Sequence, residues 1–161
     1  RLFGMPERCF CDSRMLRDGA RTDDSFDLFL HYPGVKCLLR SSYLVREPGP
    51  RFILHGTEGS YLKWGIDPQE EAMKLGAVPG SENWGVEPES AWGRINTDFS
   101  GNRLEGSYRT LPGNYLAFYD SVYAAIRQGT APEVTPGQAG DVVMIIEAAY
   151  ESSREGRVIR I

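Results

Sequence analysis

The period of the hydrophobic pattern differs between the two ends of this chain, and this difference constrains the fold more than any other feature. Between Phe26 and Tyr32 the apolar residues recur at every second position, which is typical of a β-strand with one face toward a core. Near the other end, apolar residues recur at the i, i+3, i+4, i+7 positions of a helix, from Tyr115 to Ile126. Strands followed by helices predict an α+β fold: an open, mostly antiparallel mixed β-sheet with helices on one face.

Turn residues divide the strand region into hairpins. Pro33-Gly34 predicts a turn before a long extended run, Val35–Leu44, which is apolar on both faces and is therefore expected to be a central, covered strand. Arg51–His55 and Ser60–Trp64 predict a second hairpin. Further strands are expected at Trp92–Asn96, Leu104–Thr110 and, as a final edge strand, Gly156–Ile161.

Capping residues mark the ends of three predicted helices. The first has Asp67 as N-cap, Pro68 at the first position, Glu70 in a capping box and Gly76 beyond its end; the second runs from Asn114 to Gly129; the third has Thr135, Pro136 and Gln138 at its start and ends before Gly156. Between the first and second helices, Ala77–Ser90 is rich in Gly, Pro and Glu without any periodicity, which predicts a long loop.

Composition and charge exclude several classes of function. A chain of 161 residues with 41% hydrophobic residues can form one ordinary domain with a core. The net charge is -4 with both signs interspersed, so neither a nucleic-acid partner nor a membrane partner is expected. The longest apolar run, Val142–Ile146, is far too short to cross a bilayer.

The three cysteines predict free thiols rather than disulfides. Their number is odd, and Cys9 and Cys11 fall on the same side of an expected strand over Pro6–Asp12, so we expect buried thiols in a cytoplasmic protein. His31 and His55 have no zinc-like spacing to the cysteines, so no metal site is expected.

No motif in the chain predicts catalysis by its own residues. It contains no G-x-G-x-x-G, no P-loop and no G-x-S-x-G, so we expect neither a cofactor-binding nor a catalytic residue here. Tyr115, Tyr119 and Tyr123 share one face of the second helix, which is compatible with a core seam or with a carbohydrate or polyol site.

Long stretches of the chain resemble a known family. RFILHGTEGSYLKWGIDPQEE (Arg51–Glu71) is similar to the C-terminal domain of the Gfo/Idh/MocA oxidoreductases, in the branch that contains NADP-dependent scyllo-inositol dehydrogenase. DDSFDLFLHYPG, NYLAFYDSVYAAIRQGTAPEVTP and EAAYESSREGRVIRI agree with it, and RLFGMPERC is similar to the passage from the first family domain into the second.

The resemblance implies that residues 1–161 are the C-terminal, substrate-side and oligomerisation domain of a two-domain enzyme. The other domain, an N-terminal Rossmann domain absent from this chain, would bind NADP or NAD, so this chain alone is expected to be inactive. The implied partners are that Rossmann domain, a second copy bound through the sheet face in a homodimer or higher oligomer, and a small polyol or sugar.

The resemblance also implies a substrate pocket formed by the sheet and the start of the long helix. By position, Lys63, Asn114 and Tyr115 are the expected substrate-binding residues. For Lys63 the alternative is an ordinary solvated lysine in a strand. For the whole chain the alternative is a non-catalytic binding or scaffold domain of the same fold. A small hydrolase is disfavoured, because no pair of nucleophile and base can be named.

Overall fold

The computed structural model describes residues 2–161, which form two compact units: residues 2–47 with Val134–Ile161, and Pro48–Glu133. The elements in chain order are β1 (Arg8–Arg14), β2 (Ser25–Tyr32), β3 (Val35–Ser42), β4 (Phe52–His55), β5 (Gly59–Lys63), α1 (Gln69–Lys74), a short 3-10 helix (Glu89–Ala91), β6 (Gly93–Phe99), β7 (Asn102–Tyr108), α2 (Leu116–Gln128), α3 (Pro136–Glu155) and β8 (Ile159–Arg160). Strands and helices in these positions confirm the predicted α+β class.

The first unit is a four-stranded antiparallel sheet, ordered β3-β2-β1-β8, with α3 against one face. Its core is formed by the alternate residues of the strands and one face of the helix: Cys9, Cys11, Leu28, Leu30, Ala149 and Ile159. The two cysteines are therefore buried free thiols, as predicted. Burial raises the pKa of both thiols, which keeps them protonated and unreactive.

Both ends of α3 follow the sequence prediction. Thr135 and Gln138 form a reciprocal capping box around Pro136. At the other end Gly156 takes a left-handed conformation, with φ of 65°, that favours glycine. The chain then returns as β8 on the outer side of β1, which confirms the predicted edge strand.

The prediction of a central, covered strand at Val35–Leu44 is wrong. β3 ends at Ser42 and pairs only with β2, so it lies at the edge of its sheet. Val35, Leu38 and Leu39 are 39%, 47% and 44% exposed. Apolar residues on both faces indicate that a strand has apolar surface on each side, but they do not show whether another element of the chain packs on that surface.

The second unit contains another four-stranded antiparallel sheet, ordered β4-β5-β6-β7. This confirms the second hairpin and the two later strands. Residues 77–90 lack regular structure except where the 3-10 helix begins at Glu89, so the predicted long loop is confirmed.

Capping of α1 differs from the prediction. Its N-cap residue is Pro68, and no capping box forms. Glu70 instead forms an exposed ion pair with Lys74, because these residues are four apart on the helix. Asp67 still binds the start of the helix, since its Oδ1 accepts a hydrogen bond from the Gln69 N–H at 2.9 Å. Gly76 has φ of 89°, as expected beyond a helix end.

α2 presents its aromatic stripe to the surface. The left-handed Gly129 confirms the predicted end of this helix, but its N-cap residue is Tyr115 rather than the predicted Asn114. Asn114 still binds the start of the helix, since its Oδ1 accepts a hydrogen bond from the Leu116 N–H at 3.1 Å. No residue of α2 is buried, and Tyr119 and Tyr123 are 67% and 61% exposed. The stripe is therefore not a core seam of this unit.

Candidate functional site

The second unit contains buried polar side chains where the chain leaves β5. Lys63, Gln69 and Glu87 are 6%, 0% and 9% exposed. Residues of these types are rarely buried unless they are paired. The partners of these side chains therefore show which segments of the unit are held together by buried polar contacts.

Two carbonyl oxygens and one carboxylate oxygen lie close to the ammonium group of Lys63. Its Nζ donates to Trp64 O and Ala91 O, each at 2.8 Å, and lies 3.0 Å from Glu87 Oε2. The two carbonyl groups accept two of the three ammonium hydrogens, and Glu87 supplies the counter-charge. The alternative of a solvated strand lysine is thus wrong, and Lys63 joins the end of β5 to the segment around Glu87.

The Lys63–Glu87 pair is nearly excluded from solvent. The two side chains are 8% and 6% exposed. Among the residues described, Glu87 Oε2 has no other polar contact than this ion pair. A buried pair of this kind makes each residue dependent on the other, since removing one partner leaves an uncompensated charge.

Gln69 joins three segments that are distant in sequence. Its Nε2 donates to both carboxylate oxygens of Asp67, at 2.9 and 3.0 Å. Its Oε1 accepts the Trp84 Nε1–H at 2.6 Å and the Tyr115 backbone N–H at 2.8 Å. The Gln69 cluster, formed by these four residues, therefore attaches the start of α2 to the long loop and to the turn after β5.

Two glycines allow the close approach of backbone to this cluster. A Cβ atom on Gly113 would overlap Asp67 Oδ2, and one on Gly85 would overlap the carbonyl oxygen of Gly113. Gly85 also has φ of 70°, where side chains are strained. Both positions require glycine for the segments to meet as they do.

The structure places the three predicted site residues in two locations. Tyr115 binds Gln69 through its backbone N–H, and Asn114 precedes it at the start of α2. The Tyr115 side chain is 42% exposed, and neither its hydroxyl nor the Asn114 amide nitrogen has a hydrogen-bond partner in the described chain. These two groups are therefore unpaired, whereas Lys63 Nζ donates to two carbonyl oxygens and pairs with Glu87.

Sequence reasoning missed the residues that organise this region. In the sequence, Gln69 lies within a predicted helix and Glu87 within the predicted long loop. The signal that could have found this region is Gly113, just before the start of α2, since an isolated glycine can mark a close backbone approach.

A concavity of the second unit lies elsewhere, on its sheet. It has a volume of about 580 Å³ and contains none of the three predicted residues. Its polar lining includes His55, Ser60, Asn96, Arg94 and Glu105. The His55 Nδ1 and Ser60 Oγ atoms are 2.8 Å apart, so part of this surface is already hydrogen-bonded internally.

The described residues offer neither a metal site nor a membrane-spanning helix. Within residues 2–161 there is no group of three or more His, Cys, Asp or Glu side chains that could hold a metal ion. None of the helices described has the length and hydropathy needed to cross a membrane.

Comparison with known proteins places this geometry in a family. The model of the oxidoreductase family, C-terminal alpha/beta domain (GFO_IDH_MocA_C), matches residues 1–161. The chain is 35% identical to scyllo-inositol 2-dehydrogenase (NADP(+)) IolW of Bacillus subtilis, over 98% of this chain and 44% of that protein. It is 36% identical to the uncharacterized oxidoreductase YdgJ of Escherichia coli, over 95% of this chain and 44% of that protein.

A solved structure agrees. The crystal structure of a Bacteroides fragilis protein is 43% identical, with a TM-score of 0.92, over 99% of this chain and 48% of that one. The chain thus spans about half the length of the relatives that it matches. Since the family model covers every residue and the fold agrees, the chain belongs to the Gfo/Idh/MocA oxidoreductase family, as its C-terminal α/β domain.

Proposed function

We propose that this chain is the substrate-side domain of an NAD(P)-dependent oxidoreductase that acts on the CH–OH group of a small polyol or sugar. Membership of the family and the likeness to a scyllo-inositol dehydrogenase support this proposal. The observation that carries it is the Gln69 cluster, which fixes the start of α2 while the Tyr115 hydroxyl and the Asn114 amide nitrogen remain unpaired.

The described residues do not fit a nicotinamide dinucleotide. Dinucleotide sites are formed at the carboxyl ends of parallel strands, beside a glycine-rich turn and a helix N-terminus. Both sheets described here are antiparallel, and the sequence has no G-x-G-x-x-G. NADP or NAD would therefore be held by an N-terminal Rossmann domain, and no step of cofactor chemistry is assigned to this chain.

The contribution of this domain is to bind and orient the substrate. Hydride transfer requires the reacting carbon to be held against the cofactor ring, so a wall that fixes the substrate hydroxyl groups accelerates the reaction. Asn114 and Tyr115 would bind those hydroxyl groups. Lys63 is buried among its contacts, so it would bind a substrate oxygen directly only if these contacts rearranged; otherwise it positions the loop through Glu87.

The proposed partners follow from the surfaces left exposed. The apolar stripe of α2 offers a contact for the Rossmann domain, because exposed apolar patches of this kind mark interaction sites. In the first unit, the face of the sheet opposite α3 offers a contact for a second copy in a homodimer or higher oligomer. Free cysteines fit a cytoplasmic protein.

The test uses the full-length enzyme with scyllo-inositol and NADP+, followed by the absorbance of the reduced cofactor. Tyr115→Phe removes one hydroxyl and is expected to lower kcat/KM roughly two- to ten-fold, without changing cofactor affinity. Tyr150→Phe, which removes an exposed tyrosine hydroxyl from α3 instead, is the control. Equal kinetics for both variants would remove Tyr115 from the site.

A second experiment addresses the alternative, a non-catalytic binding or scaffold domain. The 161-residue chain alone is titrated with NADPH by calorimetry, and no binding is expected. Saturable micromolar binding of NADPH would contradict the proposal that the Rossmann domain, and not this chain, binds the cofactor. Absence of turnover by the full-length protein on a panel of polyols and sugars would favour the scaffold.

A further inference from the structure

The long loop before β6 is attached to the start of α2 by its backbone and by a side chain. Gly85 O accepts a hydrogen bond from the Gly113 N–H at 3.3 Å. One residue earlier, Trp84 Nε1 donates to Gln69 Oε1 at 2.6 Å, and the same oxygen accepts from the Tyr115 N–H at 2.8 Å. The loop therefore contacts the segment 113–115 at two points.

These contacts place the Trp84 ring beside that segment. The backbone next to Trp84 is bound to one end of the segment, and its indole N–H shares an acceptor with the backbone at the other end. The Asn114 amide nitrogen and the Tyr115 hydroxyl, which have no hydrogen-bond partner in the described chain, belong to the same segment. An aromatic ring and two unpaired polar groups are therefore neighbours.

Turns within the loop hold Trp84 in this position. The Trp84 N–H donates to Ser81 O at 3.0 Å, and the Val86 N–H donates to Asn83 O at 3.1 Å. Asn83 has φ of 61°, a left-handed conformation that asparagine adopts more readily than most residues. The ring is therefore pre-organised, which reduces the entropy lost when a ligand binds against it.

The surface that Trp84 can offer to a ligand is apolar. An indole has a single hydrogen-bonding group, the Nε1–H, and Gln69 already accepts from it. The side chain is partly exposed, so its remaining accessible surface is aromatic carbon. An aromatic wall beside a few polar groups is typical of a site for a small molecule.

A ring-shaped polyol matches this combination of surfaces. In a six-membered ring with equatorial hydroxyl groups, the hydroxyls lie around the rim and the axial C–H bonds form two apolar faces. An open-chain polyol has no such face, and it loses more conformational freedom when it is bound in one shape. One face of the ring can therefore contact the indole while rim hydroxyls reach Asn114 and Tyr115.

We propose that Trp84 is a specificity-determining residue, which selects ring-shaped over open-chain polyols by contact of its indole with a C–H face of the substrate. This inference rests on the proposed function and names the substrate class within it. Gln69 has a positioning role, since it holds the indole through Nε1 and the start of α2 through the Tyr115 N–H.

The test compares scyllo-inositol, a ring, with D-mannitol, an open chain that also has six carbons and six hydroxyl groups. The full-length enzyme is assayed with NADP+, and the measured quantity is the ratio of the two kcat/KM values. If D-mannitol is not oxidised, its inhibition constant is compared with the KM of scyllo-inositol instead. The ratio does not depend on the fraction of folded enzyme, so lost stability does not change it.

Two variants separate the aromatic surface from the hydrogen bond that holds it. Trp84→Gln keeps a donor for Gln69 but removes the ring, and it should lower the preference for scyllo-inositol roughly three- to ten-fold, as expected for loss of an aromatic contact. Trp84→Phe keeps a ring without the N–H, and it should leave the preference within about two-fold of the wild type. Phe99→Leu, which removes an exposed aromatic ring at the end of β6, is the control.

The outcomes distinguish this inference from the proposed function. A wild type that prefers scyllo-inositol less than about three-fold, an unchanged preference in Trp84→Gln, or an equal loss of preference in Trp84→Phe would overturn the role of Trp84. In each of these cases the enzyme still acts on a polyol. If the wild type oxidised no polyol or sugar, the proposed function would be wrong and this inference with it.

Discussion

Replacing Lys63 by Met tests the energetics of the buried ion pair. The variant keeps most of the side-chain volume but leaves the Glu87 carboxylate, 6% exposed, without a cation. It also leaves the carbonyls of Trp64 and Ala91 without their donor. Loss of one partner of a buried pair costs about 3–5 kcal/mol, so we expect a decrease of that size in the free energy of unfolding of the second unit.

The double variant Lys63→Met/Glu87→Met provides the decisive comparison. It removes both charges together, and replacement of a buried pair by apolar residues is often neutral or stabilising. We therefore expect it to be more stable than Lys63→Met alone, by about 2–4 kcal/mol. Lys74→Met, which breaks exposed ion pairs with Glu70 and Glu71, is the control and should change stability little.

The assay follows urea unfolding by tryptophan fluorescence. Trp64, Trp84 and Trp92 are the only tryptophans in the sequence, and all three lie in the second unit, so the signal reports this unit. If Lys63→Met lost no more stability than the Lys74 control, or if the double variant were no better than the single one, the buried pair would not be a stabilising unit.

The same substitutions separate two roles of Lys63 in the full-length enzyme. Lys63→Met is expected to lower kcat/KM for the polyol roughly ten- to a hundred-fold. If Lys63 acts by positioning the loop, Glu87→Met should lower it to a similar extent. If Lys63 binds the substrate directly, the Glu87 variant should retain most of the activity. Unchanged kinetics for Lys63→Met would exclude both roles.

Three further outcomes are expected. Hydrogen bonds from the Leu16 N–H and from Arg17 lower the pKa of Asp24, so the ionised carboxylate stabilises the fold at pH values above its unfolded pKa. The difference in free energy of unfolding between the wild type and Asp24→Asn, measured in urea, should therefore decrease as the pH falls below about 4. A difference that does not depend on pH would contradict this. Gly113→Ala should destabilise the second unit, whereas Gly106→Ala, where a Cβ meets nothing within 4 Å, should not; equal unfolding midpoints would refute the close approach. In a Cys37→Ser variant, which lacks the partly exposed thiol, maleimide should label Cys9 and Cys11 only after unfolding; labelling of this folded variant would show that they are accessible.

Local physics explains which elements the sequence predicts. The period-two pattern over Phe26–Tyr32 and the capping box at Thr135 depend on residues that are neighbours in sequence, so they can be read without the tertiary structure. The same holds for the positive φ of Gly129 and Gly156 at helix ends. The resemblance to the family over Arg51–Glu71 can be recognised for a related reason, because its residues are contiguous in the sequence.

The tertiary structure alone decides how distant segments meet. Val35–Ser42 is an edge strand because it pairs with β2 alone, while β1 and β8 follow on the other side of β2. Glu70 pairs with Lys74 rather than forming a capping box, because Pro68 occupies the N-cap position. Gln69 binds Tyr115, 46 positions away, and Lys63 binds Ala91, 28 positions away. Burial and pairing across such separations depend on the whole packed chain, so the sequence shows that a lysine or a glutamine is present but not that it is buried and paired.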